Sequence, residues 1–233
     1  MSVSIDSNRS RPELLAPAGT FGIALTALEH GADAVYVGAG RHTLRAQSAG
    51  LDADQIGELL DEAHRRSARV YVTLNTMPPD DELGAIGAFV SRIAQAGAVP
   101  DAFIVSDPGV MGVVRERLPD AELHLSTQTG TFNTEALRFW HRNGIDRVVL
   151  PRELTLDQIA QLAQTGICEV EVFVHGAMCV SLSGRCLLGL YLSGRHANRG
   201  DCPQPCRLAY DIRPRGVGSG EWLEAHEGSR GTY

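Results

Sequence analysis

Four cysteines, Cys179, Cys186, Cys202 and Cys206, crowd into residues 179–206, whereas residues 1–167 contain none. Their spacing is C-x6-C-x15-C-x3-C. Thiolate sulfur is a soft ligand suited to zinc or iron–sulfur groups. Zinc sites usually present paired C-x2–4-C knuckles, and only the last pair approaches that pattern. Four thiolates scattered along one loop suit an iron–sulfur cluster better. Buried inert thiols are the bland alternative, and one such thiol is expected at Cys168, which stands apart. An odd total of five, with no apolar export signal ahead of it, does not suggest disulfides. Six arginines flank the cysteines: Arg185, Arg195, Arg199, Arg207, Arg213 and Arg215. They form either a solvated basic loop or an electropositive mouth for an anionic substrate.

The elements that must position this loop alternate strictly. Short β-rich runs occur at residues 13–15, 34–37, 69–74, 102–105, 122–126, 147–150 and 169–174. Each is apolar enough to be buried on both faces of a parallel sheet. Between them lie helical periods, such as Ile56, Leu59, Leu60 and Ala63, or Ile86, Phe89, Val90 and Ile93. Asp107 and Thr155 read as helix N-caps, while Gly31, Gly97, Gly144 and Gly166 read as helix stops. Seven βα units at this spacing predict an α/β fold, a (β/α) TIM-barrel-like architecture. The count is one strand short of eight, which predicts that the eighth unit is missing by truncation. The expected organisation is a disordered tail at 1–12, a barrel at 13–176, and a truncated cysteine- and arginine-rich cluster-binding segment at 177–233.

In a parallel barrel, chemistry sits where strands end at their C-terminal side. That rule singles out Asn75, Gln128, Arg152, Glu153 and His175 as candidate catalytic or substrate-binding groups. Arg152 and Glu153 could instead pair with each other as a structural ion pair. His175 lies four residues before Cys179, which favours a site role. No HExxH, G-x-S-x-G elbow, P-loop or dinucleotide loop is present. The net charge of −7 and 43% hydrophobic content describe an ordinary globular chain without a broad basic surface. No apolar run approaches the ~20 residues of a membrane span, so a cytoplasmic location is expected.

Three stretches carry a family resemblance: E-L-L-A-P-A-G at 13–19, G-A-D-A-V-Y at 31–36, and E-V-F-V-H-G-A-M-C-V-S-L-S-G-R-C-L-L at 171–188. A-N-R-G-D-C at 197–202 adds to them, followed by Cys206-Arg207. The sequence resembles the collagenase-like peptidases, peptidase family U32, from residue 12 to about 215. That resemblance implies either a peptidase or an oxygen-independent hydroxylase carrying a [4Fe-4S] cluster. Substrates implied for the latter are a tRNA or rRNA base, or the ubiquinone ring within a heteromeric complex with a partner of the same family. It also implies Cys179, Cys186 and Cys202 as cluster ligands. The fourth is implied to be a cysteine further on than Tyr233, with Cys206 as the substitute. The chain departs from the family pattern at His196 and Leu208, neither of which is an implied ligand.

Overall fold

The structure, a computed structural model, describes residues 11–40, 43, 50–176, 178–209, 227–228 and 231–232. Seven parallel strands run in sequence order: β1 (Leu15–Ala18), β2 (Ala34–Gly38), β3 (Arg69–Leu74), β4 (Ala102–Val105), β5 (Leu123–Leu125), β6 (Arg147–Val149) and β7 (Glu169–Glu171). Helices alternate with them: α1 (Phe21–Glu29), α2 (Ala53–Arg65), α3 (Asp80–Gln95), α4 (Pro108–Arg117), α5 (Thr134–Arg142) and α6 (Leu156–Gln164). This is the expected TIM-barrel-like α/β fold. Among the described residues, no pairing joins β1 to β7 and no eighth strand extends this sheet. A two-residue antiparallel pair, β8 (Glu227–Gly228) and β9 (Gly231–Thr232), stands separately.

One ion pair shows that the sheet curls. Arg147 opens β6, and its guanidinium lies 2.6 Å from Glu13, two residues before β1. Strands sit about 4.8 Å apart, so in a flat sheet β1 and β6 would be about 24 Å apart. Only a strongly curved sheet brings them within reach of one side chain.

Alternate strand residues serve two faces. Val35, Val37, Val70, Val72, Leu74, Phe103 and Val105 are buried under Ile56, Leu59, Ile86, Val90 and Ile93 of the helices. The inner face holds a smaller cluster of Ala34, Tyr71, Ala102 and Ile104. Helix caps follow the sequence signals. Asp107 accepts from the Gly109 and Val110 amides, and Thr155 forms a capping box with Gln158. The expected stops hold as well; Gly144, for example, follows α5 at φ 82°, which a side chain would oppose.

Several strand boundaries differ from expectation. β1 runs Leu15–Ala18 rather than 13–15, because Pro17 can occupy an edge strand whose free side needs no donor. β7 stops at Glu171 rather than reaching residue 174. Its one neighbour, β6, ends at Val149, and the chain turns at Pro151. Residues 172–174 therefore have no ladder partner among the described residues, and Val174 is 83% exposed. β5 and β6 are each trimmed at their ends to three residues. No helix among the described residues is long and apolar enough to cross a membrane.

Candidate active site at the barrel mouth

The C-terminal ends of β3, β4, β5 and β6 converge on one polar surface, and the cysteine-bearing segment is fastened across it. Gln128 sits in a 3-10 turn at Thr127–Thr129 and is 1% exposed. Its side-chain Oε1 accepts from Ser106 Oγ at 2.7 Å and lies 3.5 Å from Ser126 Oγ. Ser106 Oγ is also 3.2 Å from the Asn75 carbonyl, so the ends of β3, β4 and β5 share one hydroxyl. Gln128 Nε2 is buried without a hydrogen-bond partner among the described residues.

Three contacts then hold the cysteine segment down. Arg185 Nε donates to the Gln128 carbonyl at 2.6 Å. The Ser183 amide donates to Glu153 Oε1 at 2.7 Å. The Met77 amide donates to the Asn198 carbonyl at 3.0 Å. Asn198, 8% exposed, turns its Oδ1 to the Cys186 amide at 3.3 Å. Gln128 and Glu153 are thus brought together as docking points for residues 183–185, while the Asn75 backbone carbonyl is linked to Gln128 through Ser106. A fourth link joins Arg199 to Glu82 at the start of α3.

Arg152 and His175 lie apart from this group. Arg152 does not pair with Glu153, contrary to the ion-pair alternative; its guanidinium stacks over Phe173, 3.9 Å from the ring centroid. His175 is exposed and, with Arg152, lines a cleft between the end of β6, the start of α6 and the chain after β7. Nor do the four described arginines of the cysteine segment form an uncommitted basic mouth. Arg185 and Arg207 donate to backbone carbonyls, Arg195 pairs with Asp201, and Arg199 pairs with Glu82. Arg213 and Arg215 fall outside the described residues, as do most of the two terminal tails and Ala177.

Cys179 and Cys202 are exposed, Cys186 and Cys206 are half-buried, and all four are free thiols. Burial pushes the Cys186 thiol up, but hydrogen bonds from Ser181 and from the Leu188 and Gly189 amides outweigh it. The net shift is downward, toward the thiolate that binds metals. Cys186 Sγ lies 3.4 Å from the Leu188 amide at the start of the short helix α7 (Leu188–Ser193). Cys168 instead packs against the core, and burial raises its pKa. The donor set therefore fits a soft metal group, and hydrogen bonds to sulfur are one way proteins tune a cluster. Among the described residues, no three metal-ligating side chains are gathered round one point.

Sequence reasoning missed a polar cluster at the opposite, N-terminal end of the strands. Arg147, only 8% exposed, contacts Glu13, Glu169 at 2.6 Å and Glu171 at 3.8 Å. Tyr71 Oη donates to Glu13 at 2.9 Å, and the His124 ring stacks edge-on against Tyr71. His124 is fully buried; desolvation, then the Arg147 charge, lowers its pKa to about 3. It is neutral, donating Nε2–H to Glu122 at 2.8 Å, with Nδ1 left unpartnered. The available signal was charge opening an otherwise apolar strand, at Arg69, Arg147 and Glu169.

Comparison with known proteins places this architecture. The tRNA hydroxylation protein P of Escherichia coli is 39% identical over 204 residues, covering 87% of this chain and 45% of that protein. A 23S rRNA 5-hydroxycytidine synthase of the same organism is 43% identical over 203 residues, covering 87% of this chain and 30% of the relative. The chain thus spans about half the length, or less, of these curated relatives. A solved U32 peptidase structure superposes with a TM-score of 0.55 at 14% identity, covering 73% of this chain and 71% of that one, which supports the fold. The model of peptidase family U32 matches residues 19–233, and the chain belongs to that family.

Proposed function

We propose that this chain is part of an iron–sulfur enzyme that hydroxylates a tRNA or rRNA base without molecular oxygen. The observation that carries this reading is the fastening of a four-thiol segment across the strand ends of a barrel, in a chain whose relatives are named for RNA hydroxylation. Cys179, Cys186 and Cys202 would hold a [4Fe-4S] cluster, with Cys206 or a residue of the whole protein as fourth ligand. A cluster held there supplies electron transfer at the face where barrel enzymes place their chemistry. The protein's own residues do the positioning. Gln128 and Glu153 seat the segment, Asn198 orients Cys186, and Arg152 and His175 stand beside it for substrate. An RNA substrate also puts the enzyme in the cytoplasm.

The family's name favours a second reading, proteolysis. Mass spectrometry of nucleosides from tRNA and rRNA separates the two. Cells lacking the gene should lose one hydroxylated pyrimidine, and the gene should restore it. An unchanged nucleoside profile, together with cleavage of gelatin by the purified protein, would establish the peptidase instead.

A further inference from the structure

We propose that the cleft beside the Arg152–Phe173 stack binds a phosphodiester of the RNA substrate, with the Arg152 guanidinium as its anion receptor. This rests on the RNA reading above and assigns one contact within it. The cleft encloses about 260 Å³. Arg152, Phe173, His175 and Met178 border it together with the buried Leu150 and Leu154. Met178 adjoins Cys179, so the cleft opens next to the proposed cluster segment.

Three features select an anion. First, none of the described lining residues carries a carboxylate, on a chain whose net charge is −7. Second, Arg185, Arg195, Arg199 and Arg207 spend their donors on protein acceptors, whereas Arg152 makes no hydrogen bond or ion pair among the described residues. Third, the Phe173 ring fixes the plane of the guanidinium. That leaves its N–H edges, which make no hydrogen bond among the described residues, available to an anion. A half-buried planar cation, held by stacking instead of by a carboxylate, is preorganised for two-pronged recognition of phosphate oxygens. The volume lies below the roughly 300–1,000 Å³ of pockets that take a drug-sized molecule, which suits one nucleotide unit.

The test is anaerobic titration of a labelled single-stranded oligouridylate with the full chain, followed by fluorescence anisotropy across a series of KCl concentrations. Arg152→Gln should weaken binding several-fold at low salt and reduce the slope of log K against log salt by about 0.7, one phosphate on a single strand. Arg142→Gln removes the same charge at the C-terminus of α5, on the far end of the barrel, and should leave the slope unchanged. Arg152→Lys should keep the slope but lose affinity, because the fork is gone. If Arg152→Gln unfolds the chain, Arg152→Lys alone decides, and wild-type affinity in it overturns the subsite. A slope in Arg152→Gln equal to wild type also overturns it, because no phosphate contact has then been lost. Absence of RNA binding by the wild-type chain is a different result: it removes the RNA reading itself.

Discussion

The Ser183 amide donates to a carboxylate oxygen of Glu153 at 2.7 Å, across 30 residues of sequence. Ser183 is 5% exposed and sits at φ 49°, a conformation that a non-glycine residue holds only when its surroundings fix it. Glu153, in the turn after β6, therefore sets the path of the chain between Cys179 and Cys186. Replacing Glu153 with Ala should speed amide hydrogen exchange at Ser183 on the order of tenfold, the loss of one charge-assisted bond. Exchange in β3 and β4 should not change. Uniform protection across both regions would show that the segment is held without Glu153.

The Arg147 cluster makes a stability prediction. Its guanidinium binds Glu13 ahead of β1 and Glu169 on β7, so it ties together the first and last strands of the described seven-stranded sheet. Arg147→Met leaves Glu13 and Glu171 without their cation and should cost about 3–5 kcal/mol in urea unfolding. A loss below about 1 kcal/mol would mean that solvent already supports those carboxylates.

Glu171 makes a pH prediction in the same cluster. Burial pushes its carboxyl up to about 7; Arg147 opposes that shift and Glu13 adds to it. The folded state therefore holds a proton that the unfolded chain has released between about pH 4.5 and 7. Stability falls over that window as pH rises, and the penalty is complete above it. His124 acts with the opposite sign, since its lowered pKa makes stability rise as pH climbs from about 3 toward 6.5. The two slopes offset each other in wild-type protein, so the variant is what exposes them. Glu171→Gln should match wild type near pH 4.5 and exceed it by about 3 kcal/mol at pH 8. A difference independent of pH would show that Glu171 titrates normally.

Much of this was legible in the sequence, for physical reasons that also mark where legibility stops. Strand and helix order follow from local pattern: Ile56, Leu59, Leu60 and Ala63 make one buried stripe on α2, and Asp107 caps α4 with its own side chain. Strand ends do not, because β7 stops where its neighbour turns at Pro151, a fact of pairing rather than of residues 172–174. Residue roles stop at the same limit. Position at a strand end singled out Gln128 and Glu153, but that they seat residues 183–185 depends on contacts 57 and 30 residues away. Arg147 and Glu13 are 134 positions apart, and no periodicity in the chain announces their meeting.

Cys186 and Cys168 give the sharpest contrast within one chain. Three hydrogen bonds lower the pKa of the first, and burial against the core raises that of the second. The most direct test of the account is iron and acid-labile sulfide per chain, with the visible spectrum, in anaerobically purified wild type and in Cys179→Ser, Cys186→Ser, Cys202→Ser and Cys168→Ser. The account predicts brown wild-type protein, loss of iron in each of the first three variants, and full retention in Cys168→Ser, because a hydroxyl replaces thiolate poorly on a soft metal. Colourless wild-type protein carrying stoichiometric zinc, or iron that survives Cys202→Ser and is lost in Cys168→Ser, would contradict it.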